Sequence, residues 1–248
     1  MGDVEWRRIA GCRVVMCWPQ GRYAPQARTS GSLRARVAGV AGILLIVGGG
    51  AAAGVAVAAQ QHAPQPFLAA AGATGPAAGN ARGPSLRRSL PVSVAIPAIG
   101  VDSKLLHLGV NSDGTIRVPS LYTRASEAAW FKYSAAPGQI GASVIEGHLD
   151  GYHGPAVFFR LGALRPGDRI DVTLADGITA IFRVTGVRQY LKSRFPARAV
   201  YGTTGYAALH LITCGGAFDH TTGHYLSSTV VFASLTSSRP AGGRQAGG

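Results

Sequence analysis

The chain has 248 residues and a net charge of +13, enough length for one ordinary domain with extensions. Ten arginines against Asp3 and Glu5 fall in residues 1–88, whereas residues 89–236 carry twelve basic and nine acidic side chains, so the charge excess is no nucleic-acid-binding face of a fold. Of the three cysteines only Cys214 lies in the region of ordinary composition, which excludes an internal disulfide there, and Cys12 and Cys17 lack the neighbours of a zinc site.

In chain order, residues 1–36 are a basic arm, expected in the cytoplasm. Residues 37–59 carry no charge and no polar side chain. As a helix they would span about 34 Å, enough for a bilayer core. Arg28, Arg34 and Arg36 precede this run and the next charge is Arg82, so it is expected to anchor the chain with the domain outside. A cleaved signal peptide is the rival, since Ala56-Val57-Ala58 fits a cleavage site, but the run exceeds the usual h-region of about 7–15 residues. A start at Met16 would only shorten the arm. Residues 60–88 have many breakers and no apolar period, the composition of a flexible spacer. Residues 237–248 are expected to form a disordered tail.

Between them, residues 89–236 form the expected domain. Val92–Ile96 alternates as a half-buried strand does and stops at Pro97. Asn111-Ser112-Asp113-Gly114 is a turn before Ile116–Val118. Further strands are expected at Ala129–Tyr133, Ala142–His148, Arg169–Leu174, Thr179–Val187, Ala208–Cys214 and Thr229–Ala233. Ala175-Asp176-Gly177 marks a hairpin. About eight or nine short strands with few helices make an all-β fold, a closed barrel or a sandwich.

Two of these strands end in chemistry. Cys214 follows Leu209–Thr213 and precedes Gly215 and Gly216, a setting that opens a thiol to substrate and offers backbone donors to an oxyanion. The bland alternative is a buried structural cysteine. His148 ends Val144–Gly147 before Leu149-Asp150-Gly151, with Glu146 and Asp150 each two residues away and able to orient the imidazole. A Cys-His pair is a known means of generating a thiolate near neutral pH.

These segments resemble sortases, the cysteine transpeptidases of bacterial surfaces. The family signature T-L-x-T-C stands here as His210-Leu211-Ile212-Thr213-Cys214, matching at all but the first position. Leu211–Asp219, Gly147–Asp150, Gly154–Phe159, Phe195-Pro196 and Val200–Gly202 are similar to the actinobacterial class E/F group. The resemblance covers roughly Val92 to Ala233. It implies a closed eight-stranded sortase-type β-barrel behind one transmembrane helix, held at the cell membrane with the catalytic domain extracytoplasmic.

By the same resemblance Cys214 is the nucleophile and His148 its acid/base. The substrate would be a sorting-motif protein or peptide of LPxTG or LAxTG type, cleaved at Thr–Gly. The acceptor would be a cell-wall precursor amine. No cofactor and no metal are implied. One part is missing: sortases carry an arginine on the strand after the cysteine, where this chain has His224-Tyr225-Leu226-Ser227, and no Arg lies between Arg198 and Arg239. Gly215 and Gly216, Arg194, Arg198, His220 and His224 are the candidates for its oxyanion and substrate role. Without a substitute the chain would be a catalytically weak or inactive surface binding module on the same scaffold. An L,D-transpeptidase fits less well, because Gly216 stands where that family has an arginine.

Overall fold

The computed structural model describes residues 63–66 and 83–241. The expected anchor at 37–59 lies outside them, and among the described residues no helix is long and apolar enough to cross a membrane.

The strands in chain order are β1 (Pro91–Ile96), β2 (Val101–Leu108), β3 (Ala128–Phe131), β4 (Gly141–Glu146), β5 (Asp150–Gly151), β6 (Gly154–Pro155), β7 (Arg169–Leu174), β8 (Ile178–Leu191), β9 (Ala207–Asp219) and β10 (His224–Pro240). Eight of them close a barrel in the order β1-β2-β3-β4-β9-β10-β8-β7, and β5 and β6 form a separate two-stranded ribbon. The β2–β3 and β4–β9 pairs are parallel and the other barrel pairs antiparallel. Closure leaves no barrel strand with an unpaired edge. Among the described residues a short helix, α1 (Ala197–Tyr201), follows Pro196 and ends where the Gly202 amide bonds the Arg198 carbonyl.

Burial along the strands explains their sequences. In β7 alternate residues are buried, because one face meets the barrel interior and the other solvent. In β4 all six residues are buried. Ile145 joins Trp130, Phe158, Phe182, Leu209, Leu211 and Val231 in the main core. Val144 instead joins Ile212, Val230 and Phe131 in a second cluster, closed over by Val200 and Tyr201 of α1. The face beneath α1 therefore takes alternate residues of the same strands that line the core.

Several expectations are corrected. Ile116 makes only an isolated bridge to Val110, since the Asp113 carboxylate and Thr115 fold the chain into a tight turn there. The β2 strand was not anticipated. The hairpin strands run longer than expected, β9 to Asp219 and β10 from His224 to Pro240. Ser237–Pro240, assigned to the tail, pair with Ile178–Ile181 of β8. Parts of the assigned spacer also pack on the barrel: the Leu86 amide bonds the Gly138 carbonyl at 2.7 Å, and Pro64 lies against Gly162.

Candidate active site

The site begins with strand register. β4 and β9 run parallel, with Glu146 opposite Ile212, and the Gly147 amide continues the pairing onto the Ile212 carbonyl at 3.1 Å. Two residues beyond that pair on each chain come His148, in the loop after β4, and Cys214, within β9. Gly147 is the hinge between: a Cβ there would meet the Phe158 ring at 2.6 Å and Val157 at 2.7 Å. The chain can thus pass close under Phe158, whose amide bonds the His148 carbonyl at 2.9 Å.

Cys214 is not at a strand end, as its sequence setting suggested. It lies inside β9, 6 % exposed, on the face of His210 and Ile212. Gly215 and Gly216 are not a turn but part of the strand. Tyr225 pairs with Phe218 and Ser227 with Gly215, so Leu226 alone faces Gly216 and Ala217. That is a β-bulge, with Gly216 at φ 74° as its left-handed residue. Space also dictates these glycines, for a Cβ on Gly215 would meet Thr229 Oγ1 at 2.6 Å and one on Gly216 would meet Ser227 Oγ at 2.7 Å.

His148 is fully buried, and its Nε2 lies 2.6 Å from the Pro119 carbonyl oxygen. A carbonyl can only accept, so Nε2 carries the hydrogen and Nδ1 is the basic nitrogen of the neutral ring. Burial pulls the imidazole pKa down to about 4, against the opposing pull of the Pro119 bond. Burial likewise pushes the Cys214 thiol up to about 12; the Lys192 charge and hydrogen bond act against it, while Asp150 and Glu146 add to it. At neutral pH Cys214 therefore rests as a thiol and His148 as a neutral imidazole.

The acidic residues flanking His148 take hydroxyl partners. Glu146 Oε1 accepts from Tyr201 at 2.9 Å, and Asp150 Oδ2 accepts from Tyr225 at 2.5 Å.

The expected cation candidates are scattered. Arg194 and Arg198 have exposed side chains, on the 3-10 turn after β8 and on α1. His220 is exposed against the Phe218 ring, and His224 is half-buried opposite Asp219. The ammonium that meets the sulfur belongs to Lys192, whose Nζ donates to Sγ at 3.6 Å. Sequence reasoning missed it because it is not on the strand after the cysteine. Tyr190 of β8 pairs with Ser228 of β10, which pairs with Cys214. Lys192 opens the 3-10 turn after β8, two residues beyond Tyr190, so only the three-strand register brings it into view. Among the described residues no three His, Cys, Asp or Glu side chains gather as a metal would require.

A sortase domain family model matches residues 94–236. The chain belongs to the sortase family. Sortases are cysteine transpeptidases, and Cys214 is the free cysteine of the described barrel. Similar solved structures include sortase C1 of Streptococcus agalactiae, 19 % identical over 58 % of this chain and 66 % of that one, with a TM-score of 0.45. Sortase A of Listeria monocytogenes is 17 % identical over 62 % of this chain and 91 % of that one, at 0.46. Sortase A of Corynebacterium diphtheriae is 20 % identical over 61 % and 62 %, at 0.45. The matched part of this sortase thus spans less than two thirds of the streptococcal and corynebacterial chains. No curated protein is matched.

Proposed function

We propose that this sortase cuts a sorting motif of LPxTG or LAxTG type between Thr and Gly, carries the acyl part as a thioester on Cys214, and passes it to a cell-wall precursor amine. What supports this is above all the parallel β4–β9 pairing, since His148 and Cys214 each follow the Glu146–Ile212 pair by two residues.

The chemistry follows from the protonation states. As Sγ attacks the scissile carbonyl carbon, its proton passes to Nδ1 of His148. The resulting imidazolium gives that proton to the leaving glycine amine, and the C–N bond breaks. In the second half the acceptor amine attacks the thioester, its proton goes to Nδ1, and the imidazolium reprotonates the departing sulfur. The depressed imidazole pKa makes His148 a strong acid once charged, suited to protonating a poor leaving group.

The apolar run 37–59, with arginines before it, supports a single-pass cell-membrane location with the barrel outside. The Leu211–Asp219 segment supports a place near the actinobacterial class E/F group. A second reading, a non-catalytic binding module, is favoured by one observation: Leu226, 47 % exposed, stands among the positions where the family arginine is expected.

The test is mass spectrometry of the full chain in detergent with a small library of sorting-motif peptides. An acyl adduct on Cys214, lost in Cys214→Ala, is expected. Retention of peptides without any adduct would establish the binding module instead.

A further inference from the structure

The structure supplies a cation that the sequence of β10 lacks. We propose that Lys192 is the resident cation of this sortase site, its ammonium meeting negative charge first on Cys214 Sγ and then on the carbonyl oxygen of the attacked peptide bond. This rests on the reading of Cys214 as the nucleophile.

Three observations converge on it. Nζ is 3.6 Å from Sγ. The Tyr190–Ser228–Cys214 row crosses β8, β10 and β9, and the side chain at its middle is a small, buried serine, which leaves a lysine from the turn just after β8 room to reach over β10. Leu226 stands two residues before Ser228, on the same face of β10, between the end of β8 and the β9 bulge. An arginine there would point into the space that the Lys192 ammonium serves. The charge sits on the turn after β8 rather than on β10.

The groups acting on the sulfur show why a cation is needed. Asp150 after β4 and Glu146 on β4 both oppose a thiolate, as does burial. Tyr225 on β10 donates its hydroxyl to Asp150, and His148 is neutral. Lys192 is the group whose charge and hydrogen bond favour the thiolate. The thiol proton goes to His148, and the Lys192 ammonium only stabilises the charge left behind. Once sulfur has bonded to carbon, the charge moves to the oxygen on that carbon, within the reach of the same flexible side chain.

The test compares the full-chain wild type with Lys192→Met, Lys192→Arg, Lys192→Met combined with Leu226→Arg, and Lys104→Met, which removes an exposed charge on β2 across the barrel. Two readouts are taken. One is the rate at which iodoacetamide alkylates Cys214 at neutral pH, read on the Cys214 peptide so that Cys12 and Cys17 do not interfere. The other is kcat/KM for a sorting peptide. Below the thiol pKa the alkylation rate follows the thiolate fraction, and a cation in contact shifts a pKa by about one to three pH units. Lys192→Met should therefore slow alkylation at least about tenfold, and lower kcat/KM at least about tenfold. Lys192→Arg and the Leu226→Arg double variant should recover much of both, and Lys104→Met should change neither. Unchanged alkylation in a folded Lys192→Met overturns the proposal, as does a double variant no faster than Lys192→Met. If the wild type cleaves no peptide, the transpeptidase reading fails while the alkylation arm still decides whether Lys192 governs the thiol.

Discussion

Tyr201 donates its hydroxyl to Glu146 Oε1 at 2.9 Å, with both side chains buried. The bond ties α1 to β4 beside the candidate site. A second tie runs from His210, whose Nδ1–H donates to the Val200 carbonyl at 2.6 Å. Together they hold α1 over Ile212 and Val230, on the face that carries Cys214. Tyr201→Phe deprives a buried carboxyl of this donor and is expected to cost about 1–3 kcal/mol. Urea unfolding with an unchanged slope and a lower midpoint is the expected result; an unchanged midpoint would show that the bond does not hold α1.

Stability against pH should reflect two opposed buried groups. Burial raises the Glu146 pKa from 4.5 to about 7, so its contribution is complete below 4.5 and is lost as pH rises through 7. Burial lowers the His148 pKa from 6.5 to about 4, so its contribution is complete above 6.5 and is lost as pH falls through 4. Each effect amounts to about 3 kcal/mol across its window. The windows overlap with opposite signs, and His210, whose pKa burial also lowers, sides with His148, so the wild type should gain stability as pH rises through this range. Glu146→Gln should steepen that rise, and His148→Gln should reduce it. Parallel unfolding curves for both variants between pH 4.5 and 6.5 would refute this.

The barrel was legible in the sequence where alternation or turn chemistry is local. Arg169–Leu174 reads as a strand, and β7 has those bounds. β2 was illegible because Asp102 and Lys104 interrupt its apolar pattern and its partner β3 is parallel, with no hairpin turn to announce it. Cys214 and His148 were legible as types beside glycines, yet their burial was not. Lys192 from the turn after β8 meets Cys214 and the Pro119 carbonyl meets His148, partners far away in sequence. The glycines after Cys214 suggested a turn because a Gly-Gly pair inside a strand is uncommon. Here they serve a bulge and close packing against Ser227 and Thr229. Lys192 was illegible because a cation on the turn after one strand and a thiol two strands away share no spacing rule.

The end of β10 should be structural. Arg239 Nη2 lies 3.3 Å from Asp171 Oδ2 of β7, and the Ala241 amide bonds the Gly177 carbonyl at 2.6 Å. Truncation after Thr236 removes these contacts and the last rungs on β8, at about 1 kcal/mol per lost hydrogen bond. Truncation after Ala241 should be neutral. Thermal unfolding of the two shortened chains checks this, and equal midpoints would restore the domain boundary at Thr236.

The basic arm and apolar run predict where the chain resides. Cell fractionation should find the full-length chain in the membrane pellet. A shorter soluble chain beginning near Ala59 would instead identify residues 37–59 as a removed signal peptide.

Gly216 and Gly223 allow backbone strain and crowding to be separated. Their φ angles are 74° and 73°, so an alanine at either meets the same left-handed penalty, about 1–2 kcal/mol. Around Gly223 a Cβ would find nothing within 4 Å. Around Gly216 it would meet Ser227 Oγ at 2.7 Å, Gln189 Nε2 at 2.8 Å and Ser227 Cβ at 2.9 Å. The Gln189 amide is the end of a flexible side chain and can swing away. Ser227 cannot, because β10 is laddered to both β8 and β9 at that point. Gly216→Ala should therefore destabilise by roughly 1–3 kcal/mol more than Gly223→Ala. It should also lower peptide acylation out of proportion, because any shift of Ser227 moves Ser228 and Leu226, the residues between Lys192 and Cys214. Gly223→Ala should acylate normally at temperatures where it is folded. Equal unfolding midpoints and equal acylation rates for the two variants would mean that the bulge tolerates a side chain, and that the row across β8, β10 and β9 is not held by it.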